Sequence, residues 1–177
     1  MVSIFQQILD SLKDPHARHA MMVHVPIALG VLGVPLGLAL LLTGARSTVL
    51  KLVVVACLLM TSAGAALAAQ AGEDAEHKLE ERGLTKIEHD AVHEHEELGE
   101  GGWVWPLIPA GLAALTLIPS KRRAIPLAAA GLATLASLGV AGWISATAHA
   151  GGRLVYEMGI GVPARAAPSA TPAHEDH

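Results

Sequence analysis

Cysteine is all but missing from this chain: Cys57 stands alone among 177 residues. Intrachain disulfides, thiolate metal clusters and c-type haem attachment are thereby excluded, since each needs more than one thiol. Charge is the second shortage. Asp, Glu, Lys and Arg make up 16% of the residues while hydrophobic ones make up 52%, a balance foreign to an ordinary soluble domain. The net charge is −4, and the one basic cluster is the short run Ser120-Lys121-Arg122-Arg123, which argues against a nucleic-acid partner. Catalytic patterns are missing as well. Gly101-Gly102-Trp103 lacks the lysine and helix start of a phosphate loop, and neither the few serines nor Cys57 has a base and an orienting group arranged with it. The chain reads as a carrier or accessory protein rather than a stand-alone enzyme.

What is abundant is uncharged apolar sequence. Four windows, 21–45, 52–72, 101–120 and 124–152, carry no Asp, Glu, Lys or Arg, and each reaches the roughly 20 residues a helix needs to cross a bilayer. A membrane barrel would instead alternate apolar and polar residues in segments of about ten. The expected fold is all-α: an integral membrane four-helix bundle with spans at about 21–43, 50–71, 103–119 and 124–148, and a short helical cap outside the membrane at 72–102. The expected divisions are an interfacial amphipathic segment at 1–14, a membrane domain at 15–162 and a disordered tail at 163–177, where Ala, Pro, Ser and Thr dominate. In the first segment Ile4, Phe5, Ile8, Leu9 and Leu12 fall at helical spacing between polar residues, as in a helix lying on a membrane surface. The first basic residue is Lys13 and the apolar window beyond it is a full span, which argues against a cleaved signal peptide.

Orientation follows from basic residues in the short connections. Arg46 and Lys51 mark the first, Lys121, Arg122 and Arg123 the third, whereas the second sets Lys78, Arg82 and Lys86 against eleven acids. The short connections are expected inside, with the acidic loop and both termini outside, in the inner membrane of a bacterium. Trp103, Trp105 and Trp143 then fall near the outer interface, where indole rings prefer to sit.

That arrangement puts two imidazoles at one depth: His24 begins the first span and His149 ends the fourth. Ionisable residues inside a span are functional candidates by default, and two facing imidazoles suit axial ligation of a non-covalent b-type haem. Pro26 is tolerated in a first helical turn. Gly33, Gly37, Gly64, Gly139 and Gly142 serve either a flat macrocycle or close helix packing. Hydrogen-bonded interfacial histidines and another metal are the open alternatives to haem.

The acidic loop offers different chemistry. Two short helices are expected there, interrupted at Gly83 and ended by Gly99 to Gly102. Glu73, Glu76 and His77 share one face, and His89 and His93 stand at i, i+4. Such sets can take a divalent ion, and a solvated charged face has the same pattern. His95 lies opposite His93 and turns inward when His93 is exposed. His19 joins it as a reserve axial ligand. After His149, Gly151-Gly152 allows the chain to leave helical geometry, and Tyr156, Gly159 and Gly161 suit a segment folding back over the outer face. His174 and His177 end the tail.

Taken together, "HAMMVHVPIAL" at 19–29, "AGEDAEHKLEE" at 71–81, "HEHEELGE" at 93–100 and "HAGGRLVYEMGIGV" at 149–162 resemble the DUF2231 family of predicted bacterial membrane proteins, over roughly Pro15 to Val162. His24, Pro26, Glu73, Glu76, His95, His149, Gly151, Gly152 and Tyr156 match the family pattern, while Ala20 replaces the proline that usually follows the first histidine. The resemblance implies four membrane helices and no established enzymatic activity. Relatives joined to Rieske or cytochrome c modules add a redox role by association. The expected function is electron transfer through haem b held among His24, His149, His19 and His95. The alternatives are metal binding or sensing by Glu73, Glu76, His77, His89 and His93, or an accessory role in a membrane complex. Expected partners are the lipid bilayer and a redox partner or complex subunits, with self-association left open.

Overall fold

The computed structural model describes residues 3–162, and the tail expected to be disordered lies outside them. Every regular element among the described residues is helical: α1 (Ile4–Ser11), α2 (Pro15–Met22), α3 (His24–Leu42), α4 (Thr48–Glu80), α5 (Lys86–Gly99), a 3-10 turn (Gly102–Val104), α6 (Leu107–Leu115) and α7 (Ala124–Tyr156). Their starts follow local chemistry. Asp14 accepts from the backbone N–H groups of His16 and Ala17, with Pro15 in the first turn of α2, and Ser47 accepts from Leu50 to open α4. Thr85 and Glu88 form a reciprocal capping box on α5. Each satisfies N–H groups that a helix start leaves without partners. α2 passes into α3 through Val23 alone.

α3 and α6 each pack against both α4 and α7, so the bundle is a ring in the order α3, α4, α6, α7. One layer joins all four: Leu40, Val54, Leu58, Ala110, Ala113, Ala130 and Ala133 are buried together. Small residues bring the backbones close. At Gly33 an added Cβ would meet Leu58, at Gly37 it would meet the Thr134 backbone, and at Gly64 it would meet Val25 and Pro26. These glycines are therefore filled by neighbouring helices, which settles their role as packing. Gly139 and Gly142 face open space.

Three helical stretches are long and apolar enough to cross a membrane: Pro15–Leu42, Thr48–Glu80 and Ala124–Tyr156. The window 101–120 differs from the single long helix expected. Pro106 and Pro109 have no N–H to donate. Gly101 adopts a left-handed φ of 66°, and the bonds at Val104, Trp105, Thr116, Leu117 and Ile118 run to carbonyls three residues back. A nine-residue α6 is thus flanked by tighter turns. The acidic loop also differs: its first helix is the end of α4, which passes through Gly72 unbroken to Glu80. Likewise α7 runs through Gly151 and Gly152 to Tyr156 instead of ending there. A glycine inside a helix costs only about 1 kcal/mol relative to alanine, and Gly72 and Gly151 each make room for a side chain from another helix.

Beyond the apolar bundle the helices form a head. α2 lies on α4, where Asp14 accepts from Lys78 Nζ at 2.8 Å and Arg18 pairs with Asp74. α5 lies on α7. Leu79, Val92, Leu154 and Ile160 make a second small core. Ile160 reaches it because Gly159 and Gly161, at φ of 68° and 79°, turn the chain back, as the fold-back expectation required. The connection around Gly44 and the Arg123 side chain meet at the opposite end of the bundle. The apolar side of α1 is exposed throughout, from Ile4 to Leu12.

Candidate functional site

The histidine pair brought together by the fold is His19 and His95. Their ring centres are 6.1 Å apart and their planes nearly perpendicular, at 86°. His19 comes from α2 and is held by α4: its Nδ1 lies 2.9 Å from the Ala68 carbonyl oxygen. A carbonyl only accepts, so Nδ1 carries the proton, and in the neutral ring Nε2 keeps a free lone pair. His95 comes from α5 and leans on α7. Its Nδ1 is buried without a hydrogen-bond partner. Burial, then the neighbouring His19, pushes its pKa below the ordinary 6.5, with the Thr147 backbone opposing. Burial thus favours the neutral form of His95, the form in which imidazole binds a metal.

Two glycines make room for them. An added Cβ at Gly72 on α4 would lie 3.2 Å from the His19 ring, and one at Gly151 on α7 would lie 2.9 Å from His95 Cε1. Gly151 is one of the two positions where the sequence suggested the chain leaves helical geometry, and Gly72 is the first residue of the loop expected at 72–102. Here each removes a methyl group so that an imidazole can lie against a helix backbone.

The leading pair from the sequence is arranged otherwise. His24 is exposed, and its Nδ1 lies 2.7 Å from the Ala20 carbonyl of its own chain segment. His149 is exposed on α7. The two share an end of the bundle, but each points away from its interior. A spacing signal was available: Pro26, Gly30, Gly33, Gly37 and Leu40 are the buried positions of α3, and His24 stands about 200° around the helix from Pro26 at 100° per residue.

Of the acidic-loop candidates, Glu73 and His77 are exposed on α4. Glu76, on the charged extension beyond the apolar stretch of that helix, is half-buried and faces Glu96 of α5. Burial and the Glu96 carboxylate raise its pKa, and a hydrogen bond between the two carboxyls adds to the shift. His89 and His93 lie exposed on α5 with ring centres 6.4 Å apart. His93 Nδ1 donates to Glu96 at 3.1 Å, and this bond, with Glu97 nearby, raises its pKa. Among the described residues no three His, Cys, Asp or Glu side chains converge as a metal site. His95 does turn inward, opposite the exposed His93, as the helical spacing requires. Sequence reading passed over Glu96, Ala68 and Thr147, whose parts depend on contacts between helices distant in sequence.

A family model described as "Predicted membrane protein (DUF2231)" matches residues 15–164. The chain belongs to the DUF2231 family. The matched region takes in α2 to α7 and both members of the His19–His95 pair. No curated protein and no solved structure is detectably similar, so the family description adds membrane residence and leaves the chemistry to the residues themselves.

Proposed function

We propose that this DUF2231 protein is a four-span membrane electron carrier that holds one b-type haem between His19 and His95. The observation that carries the reading is the setting of the pair: two imidazoles from separate helices at a ligating separation, one held by the Ala68 carbonyl and the other with a buried, unpartnered Nδ1. A metal–imidazole bond of about 2 Å to each of two opposed rings sets their centres about 6 Å apart, and the observed separation is 6.1 Å. Haem is favoured over a bare ion because the described residues bring no third His, Cys, Asp or Glu to a shared metal site; a porphyrin supplies four nitrogens and asks the protein for two axial ligands. The Ala68 carbonyl orients His19 as second-partner hydrogen bonds orient metal-binding histidines generally.

The fourth span is residues 102–118. α6 rises about 1.5 Å per residue and its flanking turns about 2 Å, together about 30 Å, the thickness of the hydrocarbon core. With α3, α4 and α7 this makes an even number of crossings. The head, α1 and residue 162 then share the outer side, and the basic connections at 44–51 and 120–123 share the inner one. α1 rests its apolar face on the outer leaflet. Single cysteines at Ser47 and Thr85 in a Cys57→Ser background test this with an impermeant thiol reagent on intact cells: Thr85→Cys reacts and Ser47→Cys does not, and the reverse inverts the orientation.

The haem assignment is tested by the absorption spectrum of protein purified after expression with haem supplied. The expected result is a Soret band with sharp reduced α and β bands, lost or converted to a high-spin form in both His19→Ala and His95→Ala and kept in His24→Ala and His149→Ala. A protein that stays colourless after reconstitution, or a His19→Ala/His95→Ala double variant that keeps the low-spin spectrum, overturns it.

A further inference from the structure

One cleft in the head is used by nothing above. It lies between α2 and α4, has a volume of about 260 Å³, and is lined by Arg18, Met22, Leu67, Gln70, Ala71 and Asp74. Its polarity is graded along the membrane normal. Met22, Leu67 and Ala71 are apolar, whereas Arg18 and Asp74, an ion pair, close the side toward the head. Gln70 and Leu67 are exposed, so the cleft opens sideways at the level where the charge-free stretch of α4 ends.

Its neighbours are informative. Arg18 precedes His19, and Ala71 precedes Gly72, the glycine against which the His19 ring packs. The cleft and the imidazole pair thus use the same turns of α2 and α4. An engineered cavity of about 150 Å³ holds benzene, so this one admits a substituted ring. The polar groups are also of two kinds: Arg18 donates hydrogen bonds, Asp74 accepts them, and Gln70 does either. A ligand that fits has a flat apolar ring, oxygen atoms that accept when oxidised and donate when reduced, and an apolar tail leaving sideways into lipid.

We propose that the α2–α4 cleft binds the ring of an isoprenoid quinone. Arg18 and Gln70 donate to a quinone carbonyl, Asp74 accepts from a quinol hydroxyl, and the tail passes Leu67 into the outer leaflet. One consequence alone rests on the haem reading: with an external one-electron acceptor reoxidising the haem after each transfer, a quinol bound there passes its two electrons one at a time through the haem, releases two protons to the outer water and leaves as quinone.

The test uses the full chain in nanodiscs of phosphatidylethanolamine and phosphatidylglycerol, with a photoreactive azido-ubiquinone as probe and decylubiquinone as competitor. Mass spectrometry is expected to place the label within Arg18–Met22 and Leu67–Asp74, and decylubiquinone to remove it. Leu67→Trp, which fills the cleft from an exposed position, is expected to weaken binding at least tenfold. Asp74→Asn is expected to weaken quinol more than quinone, while Leu132→Trp, on an exposed face of α7, changes nothing. Label scattered over the apolar surface, label insensitive to competitor, or equal labelling of Leu67→Trp and parent protein overturns the proposal and leaves the cleft to phospholipid. Labelling needs no haem, so a colourless protein that binds quinone refutes only the haem reading, and a low-spin haem protein without site-specific label refutes only this one.

Discussion

Two pairs of histidines sit on or against α5, and their ring separations are nearly the same: 6.1 Å for His19 with His95 and 6.4 Å for His89 with His93. Their chemistry is opposite. His95 faces inward, and burial holds it neutral; His93 faces water, and the carboxylates of Glu96 and Glu97 favour its charged form. The first pair joins α2 and α5, its members 76 positions apart in sequence, at 19 and 95; the second stands on one helix at i, i+4. Distance between imidazoles therefore says little alone. What makes a pair ready for a metal is the set of groups that remove water, fix the tautomer and exclude competing carboxylates.

The largest effect expected from breaking this contrast is at the inner pair. His19→Ala or His95→Ala should reduce low-spin haem content at least tenfold, read as the reduced α band per mole of protein, while membrane insertion persists. The matching change at the outer pair, His89→Gln with His93→Gln, should leave that band within error. Equal losses in the two double variants would erase the distinction.

Next come the glycine seats. Gly151→Ala places a methyl group 2.9 Å from His95 with helix backbone behind it, and overpacking of this kind costs about 1–3 kcal/mol. A lowered midpoint of thermal unfolding and a broadened or partly high-spin spectrum should follow. Gly72→Ala, at 3.2 Å, should show the same change to a smaller degree. Gly152→Ala meets nothing within 4 Å and should be neutral or slightly stabilising.

In the haem-free protein the two faces should also titrate apart. His95, with its pKa lowered from 6.5, contributes stability that is whole above about pH 6.5 and lost as pH falls through its native value. His93, raised from 6.5, has the reverse slope: its contribution is present below about pH 6.5 and lost as pH rises through its native value. Histidine-resolved NMR titration checks both directions, and a His95 that protonates before His93 on acidification would contradict the burial assigned to it. Smallest of all, His89→Gln should shift unfolding free energy by no more than about 0.5 kcal/mol, as exposed substitutions do.

The sequence made the helical, membrane-bound character plain because charge-free runs leave few other structures for a backbone that must satisfy its own hydrogen bonds in lipid. The inward turn of His95 was legible too, since helix spacing sets it opposite His93. Which imidazoles the fold brings close together was harder to read. Depth along a span puts His24 in view, whereas the facing direction depends on which stripe of α3 is buried, and only the run Pro26, Gly30, Gly33, Gly37 carries that information. Gly151 misled for a different reason: glycine marks helix ends on average, but here it sits inside α7, as Gly72 sits inside α4, where a ring from a distant segment takes the place of its side chain. The short α6 reflects prolines that shift hydrogen bonding from four residues to three without altering hydropathy.

α4 is 33 residues long, about 50 Å of unbroken helix, and α7 matches it. His19 is fastened to the first through Ala68, while His95 rests on the second at Gly151. The two helices occupy opposite corners of the ring and are tied together at the far end by the layer around Leu40, Val54, Leu58 and Ala130. The second core, with Leu79 from α4 and Leu154 from α7, clamps the same two helices again at the head, so the imidazoles hang on a frame with two crossbars and the gap between the rings is braced from both ends.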